Sequence, residues 1–318
     1  MPPDEVRLAA GEDWLQFGLV HPPRHARADE NDEWLGPLTL GIEVTEPELA
    51  ARCGLGNIDP QHGPMPSHYL AAIDVALDAP LPPRGSRLVT VRADADSIGA
   101  MAVLSLRRGG FGLDRRAAAR VRVISHWDRH DHGRWQTWRQ RHPSLPRPAT
   151  VHDLGGPPPD IKAVRACAAD GGLPLAERVA TIARWLISGT IDRRWQAQAT
   201  AYDEALLADW NIGHIRITTT PDPRIVLLAS HRRAGLTLGY RQAPVVIAEG
   251  RVAGRRTLSI GQFELGWIDM ARLQVRLAAH ENGWGGSATI IGSPQGAASR
   301  IATAVIIAHA QTCMGARP

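Results

Sequence analysis

Two short segments of the chain concentrate side chains that can bind a metal ion. The segment VRVISHWDRHDHGRW at 121–135 places three histidines and two aspartates between positions 126 and 132, directly after an alternating apolar run. The segment LVTVRADADSIGAMAVL at 88–104 places Asp94 and Asp96 between a strand-like run and a helical one. At the carboxyl end of a parallel strand, both carboxylates would point toward the crevice where open α/β sheets bind ligands. The two segments therefore predict a divalent-metal site.

A two-metal hydrolytic site needs about six carboxylate or imidazole ligands, and such ligands suit manganese, zinc or iron. Six candidate ligands would supply that number if three predicted strand ends meet: Asp59, His62, Asp94, Asp96, Asp128 and His132. Bound ions would lower the pKa of a water molecule and so create the attacking hydroxide. We expect His130 and His132 to be the catalytic histidines, with His130 protonating the leaving group.

Each segment also has a simpler structural explanation. Asp96 or Ser97 could cap the following helix, with Asp94 only solvated. The histidine-rich segment could be an exposed polar loop packed on Trp127 and Trp135. A mononuclear site is a further alternative, because some of these side chains cannot face the same side.

The stretch DADSIGA at 94–100 resembles the first motif of the DHH phosphoesterase superfamily, where a strand ends in D-x-D followed by small residues and a helix. This resemblance implies cleavage of phosphodiesters or phosphoanhydrides with two manganese or magnesium ions. It also implies a C-terminal DHHA1 domain with a glycine-rich substrate loop.

The chain departs from the family pattern in two respects. Thr90, Val91 and Arg92 occupy the region where the family has a histidine, and no literal Asp-His-His triplet occurs. The nearest candidates are NIDPQHG at 57–63 and DRHDHG at 128–133, and the first precedes the D-x-D, whereas the family's triplet follows it. Either the ligands are redistributed or the metal site is incomplete.

A glycine-rich segment at 281–296, ENGWGGSATIIGSPQG, is the candidate substrate loop. Its glycines can expose backbone N–H groups, and a helix predicted from about Ala297 would add a positive dipole. It resembles the DHHA1 motif, except that Ser287 follows Gly286 where that motif has a histidine. Close packing beside Trp284 is the alternative reason for the glycines. The predicted substrate-binding residues are Gly285, Gly286, Ser287, Ser293 and Gln295, with Arg232 and Arg233 as a phosphate or carboxylate clamp.

The elements that must position these residues predict an α/β fold. In the N-terminal half, strand and helix patterns alternate, which is typical of parallel βαβ units. Strands are predicted at 38–44, 87–92 and 120–125, and helices at 46–53, 66–77 and 97–108.

The C-terminal half changes character after a proline-rich segment at 142–160. Helical spacing over 174–209 predicts two connecting helices, and five strands followed by two helices predict a smaller α/β domain. These strands are predicted at 214–219, 224–229, 236–240, 244–248 and 256–260, and the helices at 268–280 and 297–312. We therefore expect a DHH-like metal-site domain at 1–155, a linker and helical connector at 156–212, and a DHHA1-like substrate-binding domain at 213–318.

Composition limits the class of protein. With 318 residues and 44% apolar side chains, the chain can bury two cores, and its charge of +4 includes no basic run typical of a nucleic-acid track. Three widely separated cysteines argue against a disulfide framework. The N-terminus lacks the apolar core of a signal peptide, so we expect a cytoplasmic protein without a membrane partner. A homodimer is allowed.

The leading expectation is hydrolysis of a phosphoester or phosphoanhydride in a small nucleotide or short oligonucleotide. Manganese is the expected cofactor, with magnesium or zinc as alternatives. Two other functions stay open. One is a degenerate protein that binds a nucleotide or anion without cleaving it, and the other is a metal-dependent hydrolase or lyase of a substrate without phosphate.

Overall fold

The chain divides into two compact units, one formed by 1–129 with 157–199 and the other by 130–156 with 200–318. The computed structural model describes residues 14–21, 31–60, 70–130, 158–230, 236–252, 254–294 and 298–315. Among these residues, no helix is both long and apolar enough to span a membrane. The long helix α7, Arg193–Asn211, contains the division between the units.

The first unit contains a four-stranded sheet in which every pair of neighbouring strands is parallel. Its order is β1–β4–β2–β3, so β2 and β4 are adjacent although a long segment separates them in the chain. Its strands are β1 (Gln16–Leu19), β2 (Thr39–Ile42), β3 (Asn57–Ile58) and β4 (Arg87–Thr90). Because parallel strands end at the same edge, residues that follow β2 and β4 emerge side by side.

Helix α3 is the centre of the first unit. Every residue from Asp96 to Leu106 in it is buried, because α2, α5 and α6 all pack against it and it also contacts β2. A helix surrounded in this way is apolar on all sides, as DSIGAMAVLSL largely is. The helices of this unit are α1 (Pro47–Ala50), α2 (Ala72–Ala76), α3 (Ala95–Arg108), α4 (Arg115–His130), α5 (Pro159–Ala169) and α6 (Leu175–Ser188).

The second unit contains a six-stranded mixed sheet of order β5–β6–β7–β8–β10–β9. Alternate residues of β7 enter two different cores: Val245 and Ile247 pack with α9 and α10, whereas Val246 packs on the opposite face. The elements are β5 (Arg216–Thr219), β6 (Ile225–Ala229), α8 (Leu236–Gly239), β7 (Val245–Val252), β8 (Arg255–Gln262), α9 (Met270–Ala278), β9 (Gly285–Gly286), β10 (Ile290–Gly292) and α10 (Thr303–Thr312).

The predicted α/β class, with a parallel N-terminal sheet, helices and a second sheet domain, is confirmed. Three predicted elements are wrong. The strand expected at 120–125 is part of helix α4, so Asp128 lies on a helix and does not follow a strand. The strand expected at 236–240 is the short helix α8, and the final helix begins at Thr303, later than the predicted 297.

Candidate metal centre

Three carboxylates from three separate elements meet in the first unit. Glu43, Asp96 and Asp128 each offer an oxygen atom, and these atoms all lie within 4.8 Å of one another. Glu43 follows β2, Asp96 lies in the first turn of α3, and Asp128 lies in the last turn of α4. Among the described residues, no other group of three or more acidic, histidine or cysteine side chains is placed to hold a metal ion.

Glu43 occupies an unusual backbone conformation at the end of β2. Its φ is 51°. Among the described residues, no other residue except glycine has a positive φ. Side-chain and backbone contacts hold the turn: Glu43 N donates to Ile58 O at 2.9 Å, and Asn57 Nδ2 donates to Val44 O at 3.0 Å. Backbone strain of this kind concentrates at functional positions.

Glu43 is only 6% exposed. An ionised carboxylate is costly in so buried a position unless it is paired. A cation in the carboxylate group would remove that cost.

Asp96 is fully buried and joins the start of α3 to the start of α2. Its Oδ2 accepts a hydrogen bond from Ala72 N at 2.7 Å, and its Oδ1 accepts one from Ile73 N at 2.9 Å. These bonds fix the orientation of the carboxylate, and each oxygen retains a further lone pair for a cation.

A further carboxylate, that of Asp74 in α2, links this helix to α4 by a hydrogen bond. It accepts a hydrogen bond from Ala71 N at 3.0 Å and another from the Ser125 hydroxyl. Since α4 also supplies Asp128, this contact positions one of the three acidic residues relative to the others.

The electrostatics of the group disfavour three ionised carboxylates. Burial raises the pKa of Glu43 well above its ordinary value, the charges of Asp96, Asp94 and Asp128 raise it further, and Arg92 opposes them. Burial also raises the pKa of Asp96, with added contributions from Asp128 and Asp94, despite its two backbone hydrogen bonds. A hard divalent cation would relieve this repulsion, and an all-oxygen donor set suits magnesium or manganese.

Asp94, the other aspartate of the D-x-D, has a different set of partners. It is the N-cap of α3, where its Oδ1 accepts from Ser97 N at 3.0 Å. Its Oδ2 lies 2.6 Å from Arg92 Nε and 2.5 Å from Arg92 Nη2. Burial alone would raise the pKa of Asp94, but Arg92 and the hydrogen bonds from Ser97 hold it below the ordinary value.

The structure thus brings Asp96 and Asp128 together and engages Asp94 with Arg92. Asp59 lies just after β3 and is not a member of the carboxylate group. His62 and His132 lie outside the described residues, and the side chain of His130, the last residue of α4, is not described. Their predicted roles stay predictions.

Of the predicted substrate-binding residues, four in the glycine-rich segment are described. Gly286 is required by packing, because a Cβ there would lie 2.2 Å from Ile290 O, and its φ is 144°. Ser293 Oγ accepts from Leu258 N at 3.0 Å, and Ser287 Oγ lies 3.0 Å from Thr289 Oγ1. A Cβ at Gly285 would meet nothing within 4 Å, so packing does not explain that glycine. Arg232, Arg233 and Gln295 lie outside the described residues.

Glu43 was missed by sequence reasoning, although one signal marks it. It directly follows β2, a strand whose four residues are all buried, whereas Asp94 comes four residues after the last residue of β4. A carboxylate at the carboxyl end of a buried parallel strand is a candidate ligand even when no second acidic or histidine residue adjoins it.

Comparisons with known proteins add little to this geometry. No protein-family model matches the chain, and no curated protein matches it. Among solved structures, a pGpG-specific phosphodiesterase from Vibrio cholerae, PggH, is similar to it, with 13% identity over 70% of this chain and 75% of that chain. The TM-score is 0.34, which is too low for this likeness to carry an argument.

Proposed function

We propose that this protein is a divalent-metal-dependent hydrolase of a phosphoester or phosphoanhydride in a small nucleotide or short oligonucleotide. One observation carries the proposal: the carboxylates of Glu43 and Asp96, which are buried, and of Asp128, which is partly buried, converge within 4.8 Å. Their oxygen-only chemistry fits manganese or magnesium. Holding these charged groups close together and away from water is unfavourable unless a cation is bound.

Each residue has a role in this scheme. Glu43, Asp96 and Asp128 would hold the ion, and the backbone N–H groups of α2 keep Asp96 oriented. A bound divalent ion supplies an activated water and stabilises negative charge on phosphate oxygens. His130 and His132 are the proposed proton donors to the leaving group. Gly285, Ser287, Arg232 and the other predicted residues of the second unit are proposed substrate contacts.

The test is hydrolysis by the purified full-length chain with manganese, against bis(p-nitrophenyl) phosphate, nucleoside triphosphates and linear dinucleotides including pGpG. The Asp128→Asn variant should lose at least about 100-fold in kcat/KM, since even residues that only support a metal ligand are worth about 10–100-fold. Asp78→Asn is the matched control, because Asp78 is exposed in the same unit. Equal turnover by Asp128→Asn, or no turnover of any substrate with manganese present, would overturn the proposal.

One observation favours the alternative of binding without cleavage. Asp94, a predicted ligand, is occupied by Arg92 and by the α3 cap, which leaves fewer carboxylates for metal ions. A protein that has lost its metal centre should show neither heat nor a change in Tm when titrated with manganese. Metal binding with turnover supports hydrolysis, whereas nucleotide binding without either supports the alternative.

A further inference from the structure

Two histidines meet at the surface of the second unit, outside the carboxylate group of the first. His280 follows the cap of α9, His309 lies in α10, and their Nε2 atoms are 2.9 Å apart. We propose that this pair binds a transition-metal cation of the zinc class and so joins α9 to α10. The proposal goes beyond the proposed function and does not depend on it.

The separation of the two nitrogens is close to what a shared ion requires. Zinc lies about 2.0–2.1 Å from an imidazole nitrogen, so two such nitrogens around a tetrahedral ion are about 3.3 Å apart. The observed distance differs from this value by roughly half an ångström. The ring centroids are 5.0 Å apart and the ring planes are inclined by 49°, so the rings meet through their nitrogen edges and do not stack.

The protonation of the pair suits a metal ion. Burial lowers the pKa of His309, and the charges of His280 and Arg276 lower it further, which favours the neutral imidazole that coordinates metals. A hydrogen bond between neutral imidazoles needs one Nε2–H donor and one Nε2 acceptor. An ion replaces this shared proton when the donor ring carries its proton on Nδ1 instead. Binding to the neutral pair therefore releases no proton.

The ligand atoms select a different ion from that of the carboxylate group. Imidazole suits zinc, copper and nickel, whereas carboxylates suit magnesium or manganese. Two protein ligands leave the remaining coordination positions to water. We therefore expect the histidine pair to bind zinc and the carboxylate group to bind manganese.

The backbone that carries the two histidines is already fixed. His280 N donates to Leu277 O at 3.0 Å, and His309 lies within the ten-residue helix α10. Helices α9 and α10 pack in one core cluster, which includes Leu277 and Ile306. Because little of the backbone has to be ordered, an ion can bind with a small loss of entropy.

An ion at this pair would also close the glycine-rich segment at 281–296. His280 immediately precedes that segment, and α10 follows it. One link between the two sides exists already, since Glu281 Oε1 accepts a hydrogen bond from Arg300 N at 2.9 Å and Oε2 accepts one from Trp284 Nε1 at 3.2 Å. The ion would add a second link beside it and restrict opening of the segment.

Zinc binding by the full-length chain, after removal of metals with EDTA, tests the proposal. In calorimetric titrations the parent should bind one more zinc ion than His280→Ala or His309→Ala, because a linked pair of ligands exceeds a single one by about 100-fold or more in affinity. His214→Ala is the matched control, since His214 is an exposed histidine of the same unit that pairs with Asp209. It should bind as many zinc ions as the parent.

Equal zinc stoichiometry and affinity in the parent and in His280→Ala would overturn the proposal. Circular dichroism verifies folding of each variant, and the exposed His280 decides if His309→Ala does not fold. Manganese binding should be the same in His280→Ala and the parent, because the carboxylate group lies in the other unit. Failure of this proposal therefore leaves the proposed function untouched.

Two further measurements distinguish an ion that joins the helices from one that binds elsewhere. Arg276 acts electrostatically on His309, so Arg276→Gln should tighten zinc binding several-fold. Zinc should slow hydrogen exchange of the backbone amides at 281–294 in the parent and not in His280→Ala. Unchanged exchange in the zinc-loaded parent would show that the ion does not join α9 to α10.

Discussion

Glu43 holds a carboxylate in a position that two physical effects disfavour. A left-handed backbone costs an L-residue about 1–2 kcal/mol, and Glu43 has φ of 51°. Burial and three neighbouring acidic residues then raise the pKa of the side chain. Glycine would remove the first cost and glutamine the second. A bound cation would favour the ionised carboxylate and so offset the second cost.

At the residue scale, the stability of the metal-free protein should depend on pH through Glu43. Its folded pKa is raised above the ordinary 4.5, so between these two values the native state binds more protons than the unfolded state. The free energy of unfolding should fall as pH rises through that window, and Asp96 contributes in the same direction. Asp94 contributes in the opposite direction, since its pKa is lowered and its stabilisation is lost only as pH falls through the folded pKa.

Urea unfolding in EDTA at a series of pH values measures this dependence. Glu43→Gln should flatten the decline and raise the unfolding free energy above the window, and it should reduce the gain in Tm on addition of manganese. The control is Glu48→Gln, since Glu48 is an exposed glutamate of the neighbouring helix α1. A variant at position 43 with the same slope as the parent would show that Glu43 is not the titrating group.

At the scale of elements, the start of α3 combines a helix cap, Asp94, with a candidate metal ligand, Asp96. Asp94 caps the helix, and Asp96, two residues later in the first turn, lies beside the other acidic residues and the start of α2. The two aspartates of the D-x-D therefore have different functions. One caps the helix, and the other belongs to the group of three carboxylates proposed to hold the metal ion.

This division predicts different effects of substitution at position 94. Asp94→Ala removes the hydrogen bond to Ser97 N and should lower the unfolding free energy by about 1–2 kcal/mol. Asp94→Asn retains the capping oxygen and should recover most of this loss, although it weakens the pair with Arg92. Urea unfolding of both variants gives the comparison. An asparagine variant as unstable as the alanine variant would mean that the ion pair, and not the cap, supports α3.

Local patterns predicted strands β2 and β4 of the parallel sheet, because both are short apolar runs, but they did not predict β1 or β3. They failed at 120–125, where RVRVIS alternates like a strand over six residues. The buried residues Ala117, Val121 and Ile124 are spaced by four and three, which is a helical period visible only over a longer window. Asp128 was predicted as a ligand at the end of a strand, and it lies on a helix.

The carboxylate group itself could be only half predicted. Asp96 and Asp128 lie in segments dense in acidic and histidine residues, whereas Glu43 has no such neighbours and its selection depends on which strands become adjacent. The stretch DADS matches both a helix cap and a pair of metal ligands, so the sequence does not show which aspartate has which role. The pairing of Asp94 with Arg92 follows from the fold of the loop, which neither spacing nor residue type reveals.

At the scale of the whole molecule, each unit has its own hydrophobic core. One core surrounds α3 and includes Ile98, Met101 and Leu104, and the second sheet has separate clusters on its two faces. Glu43, Asp96 and Asp128 all belong to the first unit. A cation bound there should stabilise the first unit directly.

The three cysteines can report this effect unit by unit. All are buried, with Cys53 and Cys167 in the first unit and Cys313 in the second, and burial raises the pKa of the Cys53 and Cys167 thiols to about 11. Labelling of these two thiols therefore requires opening of their unit. Manganese at about 100 times its Kd should make that opening about 100-fold rarer, and peptide mass spectrometry should show labelling of Cys53 and Cys167 slowed accordingly, with a smaller effect at Cys313. Unchanged rates at Cys53 and Cys167 would contradict a cation site in the first unit, and equal slowing at all three would mean that the ion stabilises both units alike.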